Sequence, residues 1–427
     1  EELGEKQLQD TIEKLKQEYR KKDCVILYFI GLTESYEGEG YDRKNLKIPQ
    51  NQEELLAEIA ETVGKDHIAA ISFGGAPMDF SFEKNVGAIL HMYLGGQAVG
   101  ESVADLISGE VNPSGKLAET IPFSEKDTPA WRYFAPPNDD VEYRESIFVG
   151  YRYYETFHVP VKYPFGYGLS YTSFSYSELN VPEVYSGGKI QIRFKIKNIG
   201  KVSGAEIAQL YICPIESDVI RSHIELKEFQ KIYLHPGEEK EVILELDERS
   251  FSVYDVEKKA FSMLSGKYQI CIGASVHDLQ LKANMEVVGN SYFRNERELF
   301  PDYFREQPHG MEISAEQFYQ LLGGEPKHDK EKKRGEYTVY DSYQDVVNVS
   351  MFGKFVRGVV HIGLKIILGG KSERDPAFKM VKMGVEEGNL EGLIATSGGI
   401  ATPKLIDMLV YNANKKYLQA FKRLLKK

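Results

Sequence analysis

No uninterrupted apolar run in this sequence is long enough to cross a membrane, and none has the basic, apolar and small-residue succession of a secretory signal. The chain begins at Glu1 rather than at a methionine, so the missing signal says little about a longer parent protein. Cysteine is scarce. Cys24, Cys213 and Cys271 all lie in strand-like apolar runs, and an odd number so placed reads as buried thiols rather than a disulfide framework. That usage suits a reducing compartment, and a cytoplasmic location is the expectation. The nine histidines are scattered, with neither a His-Glu-x-x-His pair nor Cys/His spacing, so no metal site is expected. No Gly-x-Ser-x-Gly elbow occurs, which leaves an α/β-hydrolase triad unsupported. A net charge of −11 and a pI near 5.5 argue against a nucleic-acid surface. The run Gly95-Gly96-Gln97-Ala98-Val99-Gly100 lacks the Lys-Ser/Thr of a P-loop and the spacing of a dinucleotide fingerprint. It reads as a tight strand-to-helix turn, and no cofactor is implied.

What the sequence does contain is a change of period along its length. Residues 8–19 and 51–63 carry helical stripes, and short apolar runs at 24–32, 67–73 and 86–94 read as strands. Strand and helix in alternation predict a parallel-type sheet, whose ligands lie outside the carboxyl ends of its strands. Residues 127–175 are crowded with aromatics, Trp131 among them, and broken by proline and glycine, which excludes one regular element. These rings read first as glue between domains and second as platforms for sugar rings. From Lys189 the period becomes two: Ile190, Ile192, Phe194 and Ile196 alternate with polar neighbours, and several such strands over about a hundred residues predict a β-sandwich. The expected division is an N-terminally incomplete α/β-sandwich domain over 1–125, an aromatic connecting segment over 126–180, a β-sandwich over 181–290, a linker over 291–336 and a helical segment over 337–427. In the last, Phe352, Phe355, Val356, Val359, Val360, Ile362, Ile366 and Ile367 combine with Lys354, Arg357, His361 and Lys365 as a basic amphipathic helix. It reads first as packing on its neighbours and second as lying on a membrane surface. A single final helix is expected over 404–425.

The loop after the first strand draws the chemistry. Glu34, Glu37 and Glu39 stand there with the pair Asp42-Arg43, and Gly38 and Gly40 let the backbone bend around Glu39. Such a loop is either a solvated acidic turn or a carboxyl on a bendable tip. Acid–base work by it needs a second group, because one carboxyl cannot protonate a leaving group and also attack from the opposite side.

Long motifs in a fixed order then carry a resemblance. Ser35-Tyr36-Glu37-Gly38-Glu39-Gly40-Tyr41-Asp42-Arg43 resembles the acid/base loop of glycoside hydrolase family 3, the β-glucosidase-like enzymes. So do Tyr93-Leu94-Gly95-Gly96-Gln97, Ser108-Gly109-Glu110-Val111-Asn112-Pro113-Ser114-Gly115-Lys116-Leu117, Ile147-Phe148-Val149-Gly150-Tyr151-Arg152-Tyr153-Tyr154 and Tyr163-Pro164-Phe165-Gly166-Tyr167-Gly168-Leu169-Ser170-Tyr171. Lys197-Asn198-Ile199-Gly200 and Leu226-Lys227-Glu228-Phe229 look like the family's fibronectin-III-like domain. The resemblance covers residues from about 23 to 288 and implies an α/β sandwich followed by a fibronectin-III-like sandwich. It also implies a preceding (β/α)8 barrel that supplies an aspartate nucleophile and is not in this chain. By motif position Glu39 resembles the general acid/base, rather than Glu34 or Glu37. Asp42 and Arg43 would pin the loop, with Glu37 and Tyr41 as lesser substrate-side candidates. The implied function is the C-terminal part of a retaining β-glycosidase, inactive alone and acting on a β-linked oligosaccharide or glycoside. The alternative is a non-catalytic carbohydrate-binding or scaffolding module. A homo-oligomer is left open.

Overall fold

The computed structural model describes residues 5–19, 24–34, 36–38, 43–134, 141–289, 295–326, 332–370 and 375–425. The chain divides into two compact units, one of residues 1–30 and 46–326, the other of residues 31–45 and 327–427.

The first unit opens with α1 (Glu5–Tyr19), whose Ile12 is buried and whose Tyr19 hydroxyl donates to the Val63 carbonyl at 3.0 Å. A three-stranded sheet follows, in the order β1 (Ile26–Gly31), β2 (Ile68–Phe73), β3 (Ala88–His91), with β2 and β3 parallel. Helix α2 (Gln50–Val63) is amphipathic and buries Leu56, Ile59 and Val63. The Tyr28 hydroxyl ties β1 to it through the Gln52 carbonyl at 2.8 Å. As central strand, β2 buries Ile68, Ala70 and Ile71, the near-continuous apolar run expected of a strand covered on both faces. Edge strand β1 differs, because its Leu27 and Phe29, and Val25 just before it, are all exposed.

After α3 (Val99–Ser108), the aromatic stretch contributes β4 (Ile121–Pro122), α4 (Tyr151–Thr156) and β5 (Val161–Tyr163), with β4 and β5 paired. Much of it is core. Phe148, Tyr153, Tyr154 and Val159 pack with Phe300, Tyr303, Met311 and Ile313. The latter four come from the stretch expected to be linker, which instead forms α5 (Glu296–Leu299) and α6 (Ala315–Leu322). Its Asn295 and Ser314 caps start these helices amid a polar composition, which is why the sequence masked them.

The period-two region builds two sheets, antiparallel apart from one marginal strand. One runs β10 (Glu225–Leu234), β9 (Gly204–Pro214), β14 (Gly266–Gly273), β15 (Leu279–Val287), with the short β7 (Val184–Tyr185) on its margin, parallel to β15. The other runs β11 (Glu239–Leu246), β8 (Ile190–Asn198), β6 (Phe174–Asn180). A separate hairpin pairs β12 (Ser252–Asp255) with β13 (Ala260–Met263). Ile192, Phe194 and Ile196 of β8 point inward with Val242 and Leu244 of β11, against Leu210, Ile212, Ile270 and Ile272 of the facing sheet. Cys213 and Cys271 are free thiols on adjacent strands, Sγ to Sγ 3.8 Å.

The helices of the second unit are α7 (Tyr343–Asn348), α8 (Met351–Ile367), α9 (Pro376–Glu387), α10 (Leu390–Thr396), α11 (Pro403–Ala413) and α12 (Tyr417–Leu425). Ser342, Ser350, Asp375, Asn389 and Thr402 cap α7 to α11, each side chain accepting from the first turn. Val346, Val347, Val356, Leu390, Ile406 and Leu409 form their core. The single final helix expected over 404–425 is two. Lys415 sits in the left-handed region at φ 59°, and the Asn414 side chain accepts from the Gly335 and Tyr337 amides at 2.9 and 3.0 Å, which turns the chain out of α11.

Candidate active site

The acidic loop leaves β1 through a tight turn, in which the Thr33 carbonyl accepts from the Tyr36 amide at 2.8 Å and the Glu37 amide at 3.0 Å. This turn leaves Glu34 exposed and Glu37 half-buried, with Gly38 open to solvent; Arg43 is half-buried. Glu39, Tyr41 and Asp42 lie outside the described residues. Of the five residues expected at the site, the structure therefore places Glu37 and Arg43. Beyond the loop, Ile48 and Pro49 are buried and the Leu46 carbonyl takes the Asp79 amide at 2.7 Å.

A second polar cluster occupies the carboxyl ends of β2 and β3. Ser72 Oγ lies 2.9 Å from His91 Nδ1, and the Gly74 amide donates to the Tyr93 carbonyl at 3.3 Å. Burial holds the His91 imidazole below its ordinary pKa, so the ring is neutral at pH 7. Burial, then the Glu119 carboxylate, pushes the Tyr93 phenol up to about 12. Rings continue outward: His91 to Tyr93 at 4.2 Å, Phe80 to His91 at 5.4 Å and Phe80 to Tyr163 at 5.6 Å. The Tyr163 hydroxyl donates to Glu83 at 2.6 Å and Lys162 pairs with the same carboxylate. Burial alone would raise the Glu83 pKa, but these two bonds outweigh it and hold the carboxyl below its usual range. Glu83 is thus ionised at neutral pH and is no proton donor. The sequence offered no signal for Glu83 or His91, since their partners lie far along the chain.

The motif strings between these parts prove to be joints. Asn112 Nδ2 donates to the Ser203 carbonyl at 3.0 Å, while its Oδ1 accepts from Ser170 Oγ at 3.0 Å and the Tyr171 amide at 2.8 Å. Lys116 donates to the Gly168 carbonyl at 3.1 Å and pairs with buried Glu206 at 3.0 Å. Gly166 sits at φ +79°, and a Cβ there would meet Gln209 Oε1 at 2.2 Å, so only glycine fits.

Residues 2–171 match the model of the glycosyl hydrolase family 3 C-terminal domain, and residues 206–276 that of a fibronectin type III-like domain. Residues 2–171 are thus similar to the C-terminal domain of glycosyl hydrolase family 3. Its similarity to Thermostable beta-glucosidase B of Acetivibrio thermocellus is 43% identity over 265 residues, 62% of this chain and 35% of that protein. An exo-alpha-(1->6)-L-arabinopyranosidase of Bifidobacterium breve is 36% identical over 273 residues, 64% of this chain and 36% of that protein. Among solved structures, a family 3 beta-glucosidase of Bifidobacterium adolescentis aligns with a TM-score of 0.61 at 35% identity, over 66% of this chain and 42% of that one. Beta-glucosidase 3B of Thermotoga neapolitana, solved with alpha-D-glucose, also gives 0.61, at 34% identity over 68% of this chain and 40% of that one. The chain spans about a third of the length of those sequence relatives. The fold agrees with these domain matches: mixed helices and sheet, then a fibronectin-III-like sandwich and a helical segment.

Proposed function

We propose that this chain is the C-terminal part of a retaining β-glycosidase hydrolysing O-glycosyl bonds. Glu39 would be the general acid/base, and an aspartate on a (β/α)8 barrel outside these 427 residues the nucleophile. One observation carries the reading: the family 3 C-terminal match over residues 2–171 takes in the whole acidic loop that contains Glu39. The aspartate attacks the anomeric carbon while Glu39 protonates the leaving oxygen; Glu39 then takes a proton from the water that hydrolyses the glycosyl-enzyme. This requires the two carboxyls about 5–5.5 Å apart. Asp42 and Arg43 would position the loop, with Glu37 and Tyr41 as lesser substrate-side candidates. The open apolar side of β1 supports the reading, since strands of such sheets are ordinarily covered on both faces. The sugar itself is selected by the barrel.

The test joins this chain to a family 3 barrel and compares Glu39→Ala with the parent. Activity on glycosides with poor leaving groups should fall about a hundred- to ten-thousand-fold. Activated aryl glycosides should suffer far less at the glycosylation step, because their leaving groups depart without a proton. Undiminished hydrolysis of the poor substrates overturns the assignment. The second reading, a binding or scaffolding module, is favoured by the chain's share of its relatives, about a third. The 427-residue chain alone should show no turnover of aryl glycosides, and turnover by it would refute a nucleophile supplied from elsewhere.

A further inference from the structure

Helix α8 has more apolar surface than its own unit covers. Phe352, Val356 and Val360 turn into the helical core. The neighbouring sector, Met351, Phe355, Val359, Ile362 and Ile366 at helical spacing, is open to solvent throughout, with Phe355 68% and Ile366 73% exposed. The remaining sector holds Lys354, Arg357, His361 and Lys365, and α8 contains no acidic residue. At 100° per residue, Lys354 and Lys365 run along the solvent margin of the exposed stripe. Helix α12 repeats the pattern on a smaller scale: Tyr417, Leu418, Phe421 and Leu425 are exposed beside Lys422. Met351, Phe352, Lys354 and Tyr417 line one cleft of about 440 Å³, so the two helices adjoin at their N-terminal ends. The charge is polarised to match. Residues 327–427 carry 19 Lys and Arg against 11 Asp and Glu, a formal +8 in a chain that is −11 overall.

We infer that the exposed faces of α8 and α12 dock this chain on an anionic lipid bilayer, the apolar stripe entering the headgroup boundary and the lysine margin meeting lipid phosphates. An interfacial helix needs this division into an apolar side and a cationic side. Among the described residues no helix is long and apolar enough to cross a membrane, so the contact is peripheral. A second copy is the poorer occupant, because face-to-face pairing would bring two lysine margins together. The family matches end at residue 276, so these helices lie outside them along the sequence.

The experiment is flotation of the 427-residue chain with vesicles of phosphatidylcholine alone or with phosphatidylglycerol, at low and high salt. The expected result is flotation with the anionic vesicles, weakened by salt and lost on the neutral ones. Phe355→Ser with Ile362→Ser should lower the bound fraction at least about tenfold, with helix content checked by circular dichroism. Lys354→Gln with Lys365→Gln, which leaves the apolar core untouched, should lower it on anionic vesicles. No flotation, equal flotation on both vesicles, or flotation indifferent to both variant pairs overturns the inference. So does a dimer in sedimentation velocity that the Ser pair converts to monomer while vesicle binding is absent.

Discussion

Asn198 shows how much a single side chain can hold in this chain. It is fully buried, its Oδ1 accepts from Thr172 Oγ1 at 2.7 Å and the Gly200 amide at 3.0 Å, and its Nδ2 donates to the Val202 and Leu234 carbonyls at 2.9 and 3.0 Å. Both donors and both acceptor positions are used. Asn198→Asp keeps the shape but turns two donors into a carboxylate oxygen facing two carbonyls. A loss of about 3 kcal/mol or more is expected in urea unfolding. Glu145 is the opposite case: it is buried, and its Oε2 has no hydrogen-bond partner among the described residues. Burial raises its pKa above the ordinary glutamate value. The folded state therefore holds this proton more tightly than the unfolded chain. The associated stability is present below the ordinary glutamate pKa, about 4.3, and is lost as pH rises through the folded value. Glu145→Gln should remove that decline, stabilising the protein more at pH 8 than at pH 4 when melting is followed at both. A wild-type difference that does not change with pH would contradict the burial argument.

At the scale of elements, Lys116 joins the segment after α3 to β9 through Glu206, both side chains being nearly enclosed. Glu206 also accepts from the Ile207 amide at 2.7 Å. Removing the cation alone strands a buried carboxylate, so Lys116→Met should cost about 3–5 kcal/mol, and adding Glu206→Leu should restore most of it. The double-mutant cycle measures that coupling directly. Such joints mark the boundary of what the sequence makes legible. The alternation of Ile192, Phe194 and Ile196 with polar neighbours announced β8, and the stripe of α2 announced its buried face, because both periods are local. The split between α11 and α12 was hidden, because it depends on Asn414 finding amides about 77 to 79 residues away. The packed part of the expected linker was hidden for the same reason: Phe300 and Tyr303 are scattered among polar residues and meet Phe148 and Tyr153 only in the folded chain. The motif around Glu39 was readable as a string, whereas Glu83 and Lys162, which meet at Tyr163, lay outside every string.

For the molecule as a whole, charge divides along the sequence into a basic helical segment and an acidic remainder. The acidic part carries the matched domains, and the proposed catalysis depends on a partner domain supplying the attacking carboxylate. The chain made alone should therefore be folded yet catalytically silent, a pairing that circular dichroism and an aryl-glycoside assay test together.

Edge strand β1 bears on handling the isolated protein. An outermost strand with Leu27 and Phe29 in solvent, and Val25 just before it, presents unpaired backbone beside a sticky side-chain row, the template from which edge-to-edge aggregation starts. Concentrated solutions should self-associate through it, and a gatekeeping lysine, Leu27→Lys, should keep them clear in light scattering.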